Sequence, residues 1–398
     1  MKKIDERKLY SLINNYEKDL IEFCRELVKT PSVNGVHNEK KIANLINIKA
    51  KKLGLASKLI ALDKNRPNVF IGKDFKRRLG LLFVAHLDTV PVGDERQWKH
   101  QPFGAETEDG KIYGRGAIDC KAGIALSLYT LKILKGLGYE EVAKFAGVVD
   151  EESAPDSKIG ARFLLDRGLN AETAIYTYPG VDTVTIGHRG VIRLWIEVEG
   201  EAAHSGSISW QNSEKGANAI DALSKFVISL EKINMRGTHK SFPGYRFKHT
   251  ATLVEGGSGE SIVPDKAKVL VDARILPNHD SNEYVEKMLK LAESFNTDKI
   301  RFNVKIKNNI PGATISSKEK IVRILKKLDK EVMDTTPKIK GSGPVSEGYM
   351  FINAGIPCVC GFGAEGFNYH SADEYLETGS LKKILEIYVR AAIELSLR

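Results

Sequence analysis

The chain has 398 residues, of which 42% are hydrophobic and 28% charged, so it has the composition of a globular protein and the length for two domains. Its formal charge of +9 is spread over 60 cationic and 51 anionic residues, which argues against a nucleic-acid-binding surface. A weak positive electrostatic field that attracts anionic substrates is the better interpretation. The sequence has no signal-peptide core, no run of about 20 apolar residues for a membrane span and only four scattered cysteines, so we expect a cytoplasmic protein without a disulfide framework.

The first part of the sequence alternates helical and extended segments. Apolar residues at helical spacing predict helices over residues 7–29, 37–53 and 121–138. Short apolar runs predict strands at residues 68–72, 79–86 and 145–150. Such strands, separated by helices, are typical of an α/β domain whose mostly parallel sheet is covered on both faces.

A second pattern begins near Gly190. Alternating apolar residues predict a half-exposed strand that buries Ile192, Leu194, Ile196 and Val198. The next helix is predicted to bury one stripe, formed by Ile220, Leu223, Val227 and Leu230. Two strands (HTATLVEGG and KAKVLVDARIL), a helix with a capping box of Asp280 and Glu283, and the strand IRFNVKIK complete the β-α-β-β-α-β order of a ferredoxin-like module.

After Pro311 the α/β pattern returns, with helices predicted over residues 317–334, 345–354 and 380–397 and a strand at IPCVCGF. In that strand Cys358 and Cys360 alternate with apolar residues, which favours packing over metal binding. We therefore expect one α/β domain formed by residues 1–190 and 309–398, interrupted by a module of residues 191–308.

Polar residues directly follow several predicted strands, and parallel sheets place their functional sites at the carboxyl ends of strands. The segment FVAHLDTVPVGD brings His86 and Asp88 onto one side of an extended chain, where the carboxylate can fix the tautomer of a ligating imidazole. The segment FAGVVDEES contains Asp150, Glu151 and Glu152, whose mutual repulsion a metal ion would relieve. If one of these carboxylates binds metal, its neighbour is placed to take a proton from water.

Two further segments carry candidate ligands. In KIYGRGAIDCKAG two glycines permit tight turns just before Asp119, and in GFGAEGFNYHSADEYLE a glycine-rich loop contains His370. Taken singly, the four segments are also explained by a capped turn with a buried histidine, a helix N-cap, a solvated acidic loop and a surface histidine. Taken together, they supply the ligand types that zinc prefers, with His86, Asp119, Glu152 and His370 as the candidates.

Ordered motifs extend along nearly the whole chain. They are HLDTVPVGD, Trp98 with Pro102 and Phe103, DGKIYGRGAIDCKAG, DEES, AHSG followed by GANAI, GG with SIVP and DAR, and GIP with HSADEY. In these motifs the sequence resembles the zinc-dependent amidohydrolases of metallopeptidase family 20, which include acetylornithine deacetylase, succinyl-diaminopimelate desuccinylase, aminoacylase and glutamate carboxypeptidase.

The resemblance implies a role for each candidate residue. His86 would bind one metal ion, Asp119 would bridge two ions, and Glu152 and His370 would bind the second ion. Glu151 would be the general base. Asp88 would clamp His86, and the Asp119–Cys120 peptide bond would be cis.

By the same resemblance, residues 191–308 form a lid and dimerisation domain, so we expect a homodimer. His204 would polarise the scissile carbonyl, often across the dimer, and Arg274 would bind a substrate carboxylate in a bidentate fork. Ser261 stands in the carboxylate pocket, where the family commonly has asparagine, and Glu347 stands where it has aspartate.

The departure that bears most on metal binding is Tyr178, which stands where the family has a metal-binding glutamate. A neutral phenol is a poor zinc ligand. Either a nearby acid such as Asp182 or Glu172 replaces the missing carboxylate, or one metal site is weakened or lost.

The sequence thus predicts a zinc hydrolase with one or two ions per chain, for which cobalt or manganese can substitute. We expect it to cleave an amide bond in an N-acyl amino acid or in a short peptide with a free carboxylate. The alternatives are a dipeptidase or aminopeptidase and, because of Tyr178, a non-catalytic binding protein with the same fold.

Overall fold

The computed structural model describes residues 4–152 and 157–397, so Ser153 of the DEES motif lies outside the described residues. The helices in these residues are α1 (Glu6–Val28), α2 (Lys40–Lys52), α3 (Ala122–Leu137), α4 (Ala161–Asp166), α5 (Ile208–Gln211), α6 (Ala219–Ser229), α7 (Ser281–Glu293), α8 (Lys320–Met333), α9 (Gly348–Asn353) and α10 (Thr378–Ser396). The strands are β1 (Ser57–Ile60), β2 (Asn68–Ile71), β3 (Leu81–His86), β4 (Thr107–Glu108), β5 (Lys111–Tyr113), β6 (Ala143–Val148), β7 (Thr173–Tyr176), β8 (Thr183–His188), β9 (Gly190–Glu199), β10 (Ala203–His204), β11 (Lys248–Gly256), β12 (Ile262–Val263), β13 (Lys266–Ile275), β14 (Arg301–Ile310), β15 (Ala313–Thr314), β16 (Lys338–Ser342), β17 (Cys358–Val359), β18 (Gly366–Phe367) and β19 (Tyr375–Glu377).

The chain divides into two compact units. The larger unit comprises Met1–Gly187, Thr314–Ser342 and Ser346–Arg398, and the smaller unit comprises His188–Ala313 and Gly343–Val345. Among the described helices, none combines the length and the apolar character that crossing a membrane requires.

The larger unit is built on a mostly parallel sheet. Within the described residues this sheet has the order β1-β2-β6-β3-β7-β17. Strand β3 is parallel to β6 and β7, and β17 is parallel to β7, whereas β1 and β2 run antiparallel to their neighbours. Every residue of β3 and β6 is buried, as expected for strands covered on both faces. The sheet confirms the predicted α/β class and brings the carboxyl ends of β3, β6 and β7 to one edge.

Helix α3 packs directly against this sheet and stabilises the edge at which the polar residues lie. It contacts β3 and β6 as well as α1 and α10, and nearly all of its residues are buried. A Cβ atom at Gly123 would lie 2.0 Å from Oγ1 of Thr177 and 2.7 Å from its carbonyl oxygen. The absence of a side chain at Gly123 therefore allows the helix to approach the end of β7.

The smaller unit has the topology of a ferredoxin-like module. Its antiparallel sheet has the order β11-β13-β9-β14, with α6 after β9 and α7 after β13. The predicted inward residues of β9 are buried against both helices, in one cluster that includes Ile192, Leu194, Ile196 and Val198.

Two predictions for the helices of this unit are wrong in part. Leu223 in α6 and Leu230 directly after it are buried as predicted, but Ile220 is 38% exposed and Val227 only half-buried. Phe226 takes their place, because its ring packs against two aromatic rings of the module, Phe295 and Phe302.

The capping box at α7 forms only in part. The Asp280 carboxylate accepts a hydrogen bond from the backbone N–H of Asn282. Glu283 instead forms a 2.6 Å ion pair with Lys287, one turn further along the helix.

Short strands that the sequence did not predict form small accessory sheets. They are β15-β8-β16, β18-β19-β5-β4 and the pair β10-β12. The cysteines are free and buried, and Cys358 lies in β17 as expected for a packing residue.

The substitution Gly123→Ala tests the close approach of α3. We expect the free energy of unfolding to fall by about 1–3 kcal/mol, because the added methyl group overpacks the contact with Thr177. Urea unfolding measures this change. The control is Gly379→Ala in α10, where a Cβ atom would meet no atom within 4 Å. Equal stability of the two variants would contradict the packing account.

Candidate metal centre

Side chains from four distant segments converge at the carboxyl edge of the main sheet. His86 is the last residue of β3, Glu151 and Glu152 follow β6, Asp119 lies in the turn before α3, and His370 follows β18. Asp119 is between the two histidines, since its Oδ1 lies 3.0 Å from Nε2 of His86 and its Oδ2 lies 3.5 Å from Nε2 of His370. The structure thus brings together the four residues predicted as metal ligands and the residue predicted as the base.

The geometry of this cluster suits a divalent cation. Three groups of side chains have potential ligand atoms within 4.8 Å of one another, and they are Asp119 with Glu152 and His370, His86 with Glu151 and Glu152, and His86 with Asp119 and Cys120. In the first group, Nε2 of His370 lies 3.3 Å from Oε1 of Glu152. Ligands of a tetrahedral zinc ion at about 2.0–2.2 Å are separated by about 3.3–3.6 Å. The donor types and their spacing therefore fit zinc.

A buried ion pair holds the Asp119 turn in place. Glu374 accepts hydrogen bonds from the backbone N–H groups of Ile118 and Asp119 through one carboxylate oxygen. Its other oxygen accepts from Arg115 at 2.6 Å and from the N–H of Gly116. The Asp119–Cys120 peptide bond is cis, as predicted. Arg115 and the role of Glu374 were missed, because no local sequence pattern connects two positions that are 259 residues apart.

Asp88 does not clamp His86 in the way that the sequence suggested. Nδ1 of His86 bonds to the backbone carbonyl of Asp88 at 2.9 Å, whereas the nearest carboxylate oxygen is 3.9 Å away. The Asp88 carboxylate instead accepts hydrogen bonds from the backbone N–H groups of Glu151 and Glu152. Asp88 therefore orients His86 with its main chain and fixes the base and a candidate ligand with its side chain.

A network of polar side chains that contacts the Asp88 carboxylate was not predicted. The Asn34 amide donates to the carboxylates of Asp88, at 2.6 Å, and Asp150, at 3.0 Å. Asp150 also pairs with Arg66, which makes a two-bond contact with the buried carboxylate of Glu39. This network of hydrogen bonds and ion pairs links the start of α2 to the loop that follows β6 (the β6 loop). The β6 loop carries Glu151.

Tyr178 lies at the cluster, but neither acid proposed to replace it as a ligand does. The Tyr178 hydroxyl donates to Oε1 of Glu151 at 2.5 Å. Glu172 directly precedes β7, at the strand end opposite Tyr178, and Asp182 is exposed before β8. Among the described residues, neither acid belongs to a group that could hold a metal ion.

The charges at the cluster shift the acid-base behaviour of its members. Burial raises the pKa of Glu151 to about 8. Hydrogen bonds to Asp119 and Glu152 raise the pKa of His370 to about 10. Burial lowers the pKa of His86, but the hydrogen bond to Asp119 and nearby negative charge outweigh it and hold this pKa well above its usual value. In both histidines the neighbouring carboxylates therefore favour the protonated imidazole, whose proton a bound cation would replace.

The group formed by His86, Asp119 and Cys120 includes a thiol, which does not bind a metal ion while it is protonated. Burial raises the pKa of Cys120 to about 12, and its Sγ lies 3.4 Å from the carbonyl oxygen of Thr177. A metal ligand must be the thiolate. The set of Asp119, Glu152 and His370 is thus the better candidate for a tightly bound ion.

Three further predicted site residues belong to the smaller unit. His204 is exposed in β10, and its Nδ1 accepts from the N–H of Gly206. The backbone carbonyl of Ser261 accepts from the N–H of Ser205, next to the paired strands β10 and β12. His204 and Ser261 therefore lie close together. Arg274 donates to Asp272 through Nε at 2.7 Å and through Nη2 at 3.3 Å, which orients its guanidinium group. The roles of these residues in substrate binding remain predictions.

Imidazoles and carboxylates gathered around a bridging aspartate, with a further carboxylate beside them on a mostly parallel sheet, define a metal-dependent amidohydrolase or peptidase. The chain belongs to peptidase family M20/M25/M40, which it matches over residues 82–394.

Known proteins with similar sequences and structures agree with this family. The chain is 27% identical to an uncharacterised metallohydrolase of Methanocaldococcus jannaschii, over 81% of this chain and 83% of the relative. It is 25% identical to N-formyl-4-amino-5-aminomethyl-2-methylpyrimidine deformylase of Bacillus subtilis, over 96% of both chains. An M20 family metallo-carboxypeptidase of Sulfolobus solfataricus has a similar fold, with a TM-score of 0.77 at 19% identity over 99% of this chain and 100% of the other.

The substitution Glu374→Gln tests the support of the Asp119 turn. Because it leaves the buried Arg115 without a charged partner, we expect the free energy of unfolding to fall by about 3–5 kcal/mol. We also expect zinc to bind about 10–100-fold more weakly, because the turn presents a ligand. Glu17→Gln is the control, since it breaks an exposed pair with Lys382 and should change stability by less than about 1 kcal/mol. If Glu374→Gln matches this control in both measurements, Glu374 does not hold the turn.

Zinc binding should release protons, because His370 must lose its proton to bind the first ion and His86 must lose its proton to bind a second. The raised pKa values of His86 and His370 predict that zinc affinity increases as the pH rises from 6 to 8. Calorimetric titration of the metal-free protein in buffers with different ionisation enthalpies measures the release. His370→Ala should reduce it, whereas His37→Ala, at an exposed position, should not. A binding heat that is the same in every buffer would show that no proton is displaced.

Proposed function

We propose that this protein is a zinc-dependent hydrolase that cleaves an amide bond in an N-acyl amino acid or in a short peptide with a free carboxylate. The observation that carries the proposal is the position of Glu151. Its carboxylate lies beside His86 and Glu152, and its backbone is fixed by Asp88. A base held next to a metal site in this way is what hydrolysis of an unactivated amide requires.

The proposed reaction assigns one task to each group of the larger unit. A divalent cation, when bound, supplies a Lewis acid that polarises the amide carbonyl and lowers the pKa of water. Asp119, Glu152 and His370 would hold the cation, and His86 lies on the other side of Asp119. Burial raises the pKa of Glu151 to about 8, and the positive charge of a bound cation would favour the ionised form. In that form Glu151 accepts the proton of the attacking water. It then donates that proton to the leaving amine, so the base is restored at the end of the cycle.

In the smaller unit, we propose that His204 stabilises the developing oxyanion and that Arg274 binds the substrate carboxylate. Asp272 supports this role of Arg274, because its two hydrogen bonds restrict the guanidinium group to one orientation. Ser261 offers a hydroxyl group for the same carboxylate.

The proposed metal is zinc, with cobalt or manganese as substitutes. The set of Asp119, Glu152 and His370 supports one tightly bound ion. On the other side of Asp119, the Tyr178 hydroxyl is engaged by Glu151. We therefore propose that a second ion, if bound, is held more weakly than the first.

The proposed assembly is a homodimer that forms through the smaller unit. Strand β11 is an edge of its sheet, and Leu253 and Val254 on it are 53% and 72% exposed. Ile228 of α6 is 70% exposed, and it lines an apolar groove together with Leu253 and Val254. An apolar edge strand can pair antiparallel with a second copy of itself, which buries the groove on both chains.

A screen of N-acyl amino acids against free dipeptides, with added zinc, cobalt or manganese, tests the substrate class. Faster turnover of the acylated compounds supports the proposal. Preference for dipeptides with a free amino group would identify a dipeptidase or aminopeptidase instead.

We expect Glu151→Gln to lower turnover by at least about 100-fold, because amide has replaced the group that moves the proton. Zinc content measured by mass spectrometry should not change, since Glu151 is not among the proposed ligands of the tight site. Glu172→Gln, at the far end of β7, is the control and should keep wild-type turnover. Full activity of Glu151→Gln would remove Glu151 from the role of base.

Val254→Lys should convert the dimer to a monomer of 44.1 kDa, because it places a charge in the centre of the apolar edge. Light scattering after size-exclusion chromatography measures the mass. Ile306→Lys is the matched control, since Ile306 is an exposed isoleucine on β14 at the other edge of the same sheet. Loss of the dimer in the control variant alone would place the interface on β14.

A further inference from the structure

The Tyr178 hydroxyl fixes one oxygen of the Glu151 carboxylate. The two atoms lie 2.5 Å apart, at the short end of hydrogen bonds between a hydroxyl and a carboxylate. The backbone N–H of Glu151 donates to Asp88 at 3.2 Å. Together these contacts restrain both the main chain and the carboxylate of Glu151, so its other oxygen is turned to a defined direction.

Tyr178 is in turn supported by a second tyrosine. The rings of Tyr176 and Tyr178 stack with centroids 4.3 Å apart and planes within 9°. Tyr176 is the last residue of β7 and is fully buried. Tyr178 lies two residues beyond the end of β7, and this spacing places side chains of an extended chain on the same side.

The stack ends on a buried carboxylate. The Tyr176 hydroxyl donates to Oε2 of Glu347 at 3.1 Å. Glu347 directly precedes α9 and is completely buried, and its Oε1 is without a hydrogen-bond partner among the described residues. Burying a carboxyl group with one unpaired oxygen costs stability that an apolar residue would not. A role in holding Tyr176 explains why a carboxyl group is at this position.

We propose that Tyr178 is a positioning residue for the general base, and that Tyr176 and Glu347 hold Tyr178 in place. The inference rests on the proposed function, in which Glu151 moves the proton. The Tyr178 hydroxyl donates to Glu151, and the Tyr178 ring lies 5.6 Å from the ring of His86. Its effect on the reaction passes through the direction in which the Glu151 carboxylate points.

The variant Tyr178→Phe keeps the ring and its stack and removes only the hydroxyl group. With an amide substrate found in the screen, kcat should fall by about 10–100-fold, because a misplaced catalytic group costs up to about 100-fold in rate. KM and zinc content should stay within about 3-fold of the wild type. Tyr176→Phe and Glu347→Gln should lower kcat less. Each removes a support of the stack, but the Tyr178 hydroxyl group is still present to contact Glu151.

The matched control is Tyr129→Phe, which removes another buried tyrosine hydroxyl that donates to a carboxylate, that of Asp19 between α3 and α1. It should lower stability without changing kcat. If Tyr178→Phe keeps the wild-type kcat, or if it loses no more than Tyr129→Phe, the inference is wrong.

Crystal structures of the wild type and of Tyr178→Phe separate this inference from the proposed function. We expect the Glu151 carboxylate to leave its wild-type orientation in the variant, and this result can be read even if the wild type cleaves none of the screened compounds. Inactive wild type with a displaced Glu151 in the variant would contradict the proposed function and support the inference. An unmoved Glu151 would overturn the inference, whether or not the wild type is active.

Discussion

The contact on which the site depends is the bridge of Asp119 between two histidines. A buried carboxylate is costly unless positive charge or hydrogen-bond donors meet it. Asp119 meets this requirement on both sides, since one oxygen faces His86 and the other faces His370. Glu152 lies 3.3 Å from His370, and Glu151 has a potential ligand atom within 4.8 Å of His86 and Glu152. Burial raises the pKa of Glu151 to about 8, and the positive charge of a divalent cation would favour its ionised form.

The surrounding hydrogen bonds serve to hold these side chains in one arrangement. Glu374 and Arg115 fix the turn that carries Asp119, and Asp88 fixes the backbone of Glu151 and Glu152. The Tyr176 and Tyr178 stack acts on the Glu151 carboxylate from a third direction. Groups that are held before the substrate arrives need no reorganisation during the reaction. The fold thus contributes to the proposed chemistry mainly through rigid support of a few atoms.

The sequence predicted the ligand cluster because its members directly follow apolar strands, and parallel strands bring their carboxyl ends together. It did not predict the partner of Glu374, because Arg115 lies 259 residues away in the chain and no local pattern connects two such positions. The sequence also led us to expect that the carboxylate of Asp88 contacts His86, whereas the backbone carbonyl of Asp88 makes this contact. The spacing of two residues places a side chain near a ring, but the choice between carbonyl and carboxylate depends on the N–H groups of the β6 loop.

The same limit applies to α6 and to Tyr178. The helical period of α6 fits two neighbouring stripes, and the choice between them was made by aromatic packing of Phe226 with residues of other elements. For Tyr178, the sequence showed that a phenol stands near the metal cluster. Only the tertiary structure shows that its partner is Glu151 and that Glu172 and Asp182 are elsewhere.

The most direct test of this account is anomalous X-ray diffraction at the zinc absorption edge, from crystals of the wild-type protein loaded with one equivalent of zinc. The account predicts an anomalous peak within about 2.0–2.2 Å of ligand atoms of Asp119, Glu152 and His370. A zinc ion bound elsewhere, with no peak among these three residues, would contradict it.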